Sequence, residues 1–230
     1  MSMVLQCYLM EEGTPSRNLH ASGLSKSRVE TLTDGIFAIA MTLLVLGIEV
    51  PQIANPPSLD TLLASLYPDI ILYVMAFLAL AVFWVLHHQM FHFIRCLDAF
   101  MLWLNIIWLL FVGLIPFTSN LADTYYDLWL AQIIFGINVM IISLLMLAQW
   151  THVTRNTRLL NPGTDEALMR FEMKRGELVT GIALLGIILA FFSVFPGVAI
   201  YFLIPLTFAL SPQTLDYILF APKKPAKQKK

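Results

Sequence analysis

Histidines at positions 87, 88 and 92, followed by Arg95 and Asp98, form the densest run of reactive side chains in this sequence. His88 and His92 stand four apart, which on a helix puts two imidazoles on one face, the spacing used by paired metal ligands. No glutamate lies between them in the metalloprotease pattern and no third ligand accompanies them, so hydrogen bonding is the expected role and no metal is assigned. A second polar group, Arg28, Glu30 and Asp34, opens the first long apolar stretch, while Asn105, Asn138 and Glu177 are scattered along later ones. The sequence has no Ser/His/Asp or Cys/His constellation at membrane depth, no glycine-rich phosphate loop and no carboxylate pair at mid-stretch. The parts for catalysis are missing, and the expectation is a protein that is not an enzyme and carries no cofactor.

The elements that must position these residues follow from composition. Of 230 residues, 58% are hydrophobic and only 13% charged, and mean hydropathy is +0.76. A water-soluble globule of this size has too little interior to hide so much apolar surface. Disordered chains are charge-rich and aromatic-poor, which these numbers exclude. A net charge of −1 supplies no basic field, so nucleic acid is not an expected partner. An all-α, polytopic membrane protein remains, with the lipid bilayer as its solvent.

A helical crossing takes about 20 mostly apolar residues. Uncharged runs fall near 35–50, 70–94, 99–122, 128–151, 176–194 and 197–213, which predicts six transmembrane helices. The last two are divided only by Val194-Phe195-Pro196-Gly197, a turn signal. Flanking them are an N-terminal tail (1–24), the spanning region (25–213) and a basic C-terminal tail (214–230). Within the loop 51–68, Ser58 and Asp60 before Leu62, Leu63 and Leu66 suggest a short interfacial helix. Thr164-Asp165-Glu166 before Ala167–Lys174 suggests a capped surface helix feeding the fifth span.

Charge placement then orients the chain. Basic residues occur at 17, 26 and 28, at 95, at 155, 158, 170, 174 and 175, and in the C-terminal lysines, which together are every Lys and Arg present. None falls in 51–69, 123–127 or 194–197, where Asp60, Asp69, Asp123 and Asp127 lie. By the positive-inside bias, an even number of spans with both termini cytoplasmic is predicted. The polar residues of interest then cluster within two turns of the cytoplasmic face, leaving the midplane apolar.

The segment 28–46, RVETLTDGIFAIAMTLLVL, resembles the signature of the transmembrane protein 175 family: Arg, three residues, Phe-Ser-Asp-Gly, Phe-Ala-Ile-Ala and a Thr-Leu-Leu run. Arg28, Asp34, Gly35, Phe37–Ala40 and Thr42–Leu44 match, with Leu32 and Thr33 in place of Phe and Ser. Trp84, His87, His88 and Asn105 also look like family features. The resemblance implies a potassium-permeable cation channel without the filter loop of classical potassium channels. For a single-repeat chain it implies the prokaryotic branch: a homotetramer in a plasma membrane, passing potassium and other monovalent cations. It further implies that the first span lines the pore, with Ile39, Leu43 and Leu46 as constriction layers and Thr42 as a polar layer beside them.

Helical geometry permits that assignment. At 100° per residue, positions 39, 43 and 46 fall within about 60° of one another, and Thr42 borders the stripe. Stacked over roughly 10 Å, such apolar rings can act as a hydrophobic gate and strip water from an ion. Arg28 and Asp34, six apart, do not face each other and are expected to join His87 or His88 and Asn105 in a network that fixes the first span. The repeated arginines of a voltage sensor are absent, which suggests a leak-type conductance. The alternative is a small secondary transporter, for which Pro196 and Pro205 in the sixth stretch supply possible breaks.

Overall fold

The computed structural model describes residues 25–49, 58–193, 197 and 199–207. Both expected tails, the loop 50–57 and most of the expected turn at 194–197 lie outside the described residues. Helix α1 (Lys26–Leu43) continues as a 3-10 turn, Leu44–Gly47. It is followed by α2 (Leu59–Phe93), α3 (Ala99–Gly113), α4 (Ile115–Thr124), α5 (Trp129–Arg155) and α6 (Glu166–Phe192). A 3-10 turn, Ile200–Phe202, and a single helical turn, α7 (Leu203–Leu206), close the described chain.

Side-chain caps set several helix starts. Ser58 accepts from the Thr61 amide (3.2 Å), Asp98 from Met101 (2.7 Å) and Asp165 from Ala167 (2.8 Å), each satisfying a donor that no preceding turn can reach. The Asp165 cap agrees with the expected helix start at 164–166, and α6 runs unbroken from there into the membrane. The separate interfacial helix expected before residue 68 does not exist as such, because α2 begins at Leu59 and passes straight through Pro68. Proline there frees only the Ala64 carbonyl, and water at a membrane edge can satisfy it. At 35 residues α2 is roughly 52 Å long, well beyond a ~30 Å hydrocarbon core, so its Asp60 end projects into water. The third span breaks at Leu114, and Pro116, which has no amide hydrogen to give, sits where α4 begins.

Among the described residues, five segments are long and apolar enough to cross a membrane: Lys26–Gly47, Leu59–Phe93, Ala99–Thr124, Trp129–Arg155 and Glu166–Phe192. The sixth expected span, 197–213, is described only as far as Thr207 and is wound there in short turns. The spans differ in how much they give to the subunit core. In α5, 56% of the most apolar stretch is buried, whereas in α1 the figure is 28%, the lowest of the five.

Helix α5 is central because α6, α4 and α3 all pack on it. Its seam with α6 carries glycines where backbones and a ring must approach closely. Tyr201 inserts between Gly136 of α5 and Gly186 of α6, and a methyl group at Gly186 would meet its ring carbon at 2.5 Å. Gly186→Ala is therefore expected to cost about 1–3 kcal/mol through overpacking. Gly181→Ala, with nothing within 4 Å, should instead stabilise by about 0.5–1 kcal/mol, because alanine is the better helix former. Thermal melting of the detergent-solubilised protein compares the two.

Backbone and side-chain bonds gather the basic segments at one end. Lys26 Nζ donates to the Ile94 carbonyl (2.9 Å), joining the start of α1 to the α2–α3 loop. That loop joins the α5–α6 loop through Arg95 N–H to Leu159 O (2.7 Å) and Asn161 N–H to Phe93 O (2.9 Å), around an isolated β-bridge, Ile94 to Leu160. At the opposite end, Gly47 lies beside Asn120, and a small cleft there is lined by Asp69 and Asp123 among others. The charge separation along the sequence is thus a separation in space.

Candidate pore helix and its polar anchors

Helix α1 is two-faced, although both faces are largely apolar. Val29, Thr33, Phe37, Ala40 and Leu44, spaced four, four, three and four apart, are buried in the subunit. Phe37 packs on Trp108 of α3 with ring centroids 5.4 Å apart. The other face has no cover within the subunit. Ile39, Leu43 and Leu46 are 61%, 44% and 74% exposed, Thr42 is exposed between them, and Gly35 is exposed one turn earlier. The Thr42 hydroxyl donates to the carbonyls of Ile39 (2.8 Å) and Ala38 (3.0 Å), which satisfies its hydrogen and leaves its oxygen lone pairs as the outward polar feature.

The polar anchors of α1 fall into two groups. One is fully internal: His87 Nε2 and Asn105 Oδ1 are 2.9 Å apart, and Asn105 Nδ2 donates to Thr33 Oγ1 at 3.4 Å. The pairing requires His87 to carry its proton on Nε2, since the amide oxygen can only accept. Its ring lies against Trp108 (4.9 Å, 9° between planes) and Phe91 (4.1 Å), so α1, α2 and α3 meet at one hydrogen-bonded and stacked junction.

The second group is at the surface. Trp84 Nε1 donates to Asp34 Oδ1 at 2.8 Å, tying α2 to α1, and His88 stacks on the same indole at 5.7 Å. Arg28 is exposed, and its guanidinium makes no hydrogen bond or ion pair among the described residues. An open cleft of about 310 Å³ lies over this group, lined by Ser27, Glu30, Thr31, Asp34, His87 and His88. Asp34 and His87 are thus brought to one place, but Thr33 rather than Arg28 makes the internal link. Thr33 occupies the buried stripe of α1, and its four-residue spacing from Val29 and Phe37 was the available signal. His92 turns away to the surface, and among the described residues no group of three potential metal ligands forms.

A sequence profile of the family described as endosomal/lysosomal potassium channel TMEM175 matches residues 28–116. The match begins at Arg28 and ends at Pro116, so it contains α1 from Arg28 onward, both anchor groups and the start of the break in the third span. A potassium channel of Chamaesiphon minutus is 32% identical over 189 residues, covering 80% of this chain and 93% of that protein.

The chain belongs to the TMEM175 potassium-channel family.

A second relative in the family, a potassium channel of Streptomyces collinus, is 34% identical over 147 residues, covering 62% of this chain and 71% of its own. The crystal structure of a lysosomal potassium-selective channel TMEM175 homologue from Chamaesiphon minutus superposes with a TM-score of 0.70 at 28% identity, covering 81% of this chain and 97% of that one. TMEM175 is a family of ion channels and not of enzymes, in line with the missing catalytic parts.

Proposed function

We propose that four copies of this chain form a potassium-permeable, leak-type channel in a prokaryotic plasma membrane, with α1 of each copy lining the pore. One observation carries the placement of α1. It is the span least buried by its own subunit, and its uncovered face holds Ile39, Thr42, Leu43 and Leu46 in line. An outer helix would also show an uncovered apolar face, toward lipid. The buried face of α1 is held by the His87–Asn105–Thr33 junction, which fixes the rotation of the open face, as a pore helix requires.

Four copies would stack Leu46, Leu43 and Ile39 as apolar rings with Thr42 oxygens beside them. An ion passing such rings sheds part of its hydration shell, and the smaller, more tightly hydrated sodium ion loses more than potassium does. Selectivity of this kind is moderate, because no ring of backbone carbonyls replaces the lost water. When the rings close, dewetting blocks the path without any charged gate. The charge separation, together with a sixth span expected from the apolar run 197–213, supports both termini in the cytoplasm.

Recording from the reconstituted protein, with potassium on one side and sodium on the other, tests this reading. Unitary current steps with a reversal potential favouring potassium are expected. Saturating flux that follows the gradient of a second ion, without unitary steps, would establish the secondary transporter instead.

A further inference from the structure

At the basic end of the molecule three arginines remain without a carboxylate partner among the described residues. Arg155 ends α5, Arg158 lies in the following 3-10 turn, and Arg95 is held beside that turn by its amide bond to Leu159. Arg155 and Arg158 are exposed and Arg95 is half-buried. The nearby acids are already engaged. Asp98 caps α3 and bonds His152 Nε2 (2.7 Å), Asp165 caps α6, Glu166 faces Arg170 (3.8 Å), and Glu172 pairs with Arg175 (2.9 Å). The loop backbone is fixed as well, by Asn161 Nδ2 donating to the His92 carbonyl (2.8 Å). Positive charge is thus concentrated on a rigid platform and, among the described residues, left unneutralised.

An apolar track leads away from this platform. Phe100, beside His152 at 4.6 Å between ring centroids, begins an exposed line that continues through Trp103, Ile107, Leu110, Leu114 and Phe117. Within α3 the steps of three and four keep Phe100, Trp103, Ile107 and Leu110 on one face for 10 residues, roughly 15 Å, about one leaflet of a ~30 Å hydrocarbon core. An aromatic pair at the head of such a line sits at headgroup depth.

We propose that Arg95, Arg155 and Arg158 hold the phosphate of an anionic phospholipid whose acyl chain lies along Phe100, Trp103 and Ile107. Guanidinium forks bind phosphate oxygens through paired, charge-assisted hydrogen bonds, which a zwitterionic headgroup satisfies less well because its own cation competes. Lipid is favoured over free phosphate because the basic platform and the apolar track adjoin through Asp98, His152 and Phe100.

The test uses the full chain reconstituted in phosphatidylcholine bilayers and titrated with brominated phosphatidylglycerol, read as quenching of tryptophan fluorescence against brominated phosphatidylcholine. Each basic residue near an anionic surface contributes about fivefold, so the Arg95→Gln/Arg155→Gln/Arg158→Gln variant should lose on the order of a hundredfold in preference. Arg155→Gln alone should lose about fivefold. Trp103→Phe should remove most of the phosphatidylglycerol-specific quenching. Gln at Lys223, Lys224 and Lys227 removes the same charge from the C-terminal tail and should leave the preference in place. The proposal fails if the arginine triple variant keeps its preference, if the tail variant loses as much, or if Trp103→Phe changes nothing. Displacement of the lipid by inorganic phosphate at constant ionic strength would also overturn it, in favour of a free-phosphate site.

Discussion

Ile39→Asn is expected to raise sodium permeability relative to potassium several-fold, read as a shift of the reversal potential under bi-ionic conditions. An apolar ring separates the two ions by making each lose hydration, and four amides in its place would return hydrogen-bonding partners to the ion. A polar group moved between an apolar and a hydrogen-bonding environment is worth about 1–3 kcal/mol, and 1.4 kcal/mol is already tenfold. The substitution is informative because Ile39 is 61% exposed on its own subunit, so asparagine there leaves the subunit core intact. Phe37→Asn, two residues earlier on the buried face, should instead prevent folding, since Phe37 packs directly on Trp108. If Ile39→Asn conducts with unchanged selectivity, Ile39 does not line the narrow part of the pore.

Asn105→Leu should destabilise the subunit by about 2–4 kcal/mol, because it leaves His87 without a partner and breaks the longer bond to Thr33. For a chain of this size that corresponds to a drop of roughly 5–15 °C in melting temperature, measured in detergent. Leucine keeps the branched skeleton of asparagine but is larger, so no cavity opens and the loss combines the missing hydrogen bonds with some overpacking. Asp34→Ala removes only the surface bond to Trp84 and should cost about 1 kcal/mol within the subunit. Comparable losses from Asn105→Leu and Asp34→Ala would mean that the internal junction is not what fixes α1. Arg28 is exposed on its own subunit, so oligomer size after Arg28→Ala reports any contact with a neighbouring copy.

Some of this was legible in advance. The spans and their approximate number follow from apolar runs, because a segment without water must satisfy every backbone group internally and only a long apolar helix does so. The single basic end was legible for a related reason, since arginine and lysine are too costly to leave at depth. The continuous α2 was less so. Pro68 and the flanking polar residues read as a boundary, yet a proline near a wet helix end costs little, and the helix simply continued.

The sequence by itself determined that this is an all-helical membrane protein, that its basic residues collect on one face, and, through the segment 28–46, to which family it belongs. Only the tertiary structure decided which face of α1 is left open and which of the polar residues beside it meet. In water a helix announces its buried side by an apolar stripe. In hydrocarbon, side chains facing lipid and side chains facing protein are equally apolar, so Phe37 and Ile39 look alike until the neighbouring helices are in place. Polar pairing is undetermined in the same way. Thr33, His87 and Asn105 lie on three helices, and only the packing of α1, α2 and α3 around Trp108 brings them within hydrogen-bonding distance.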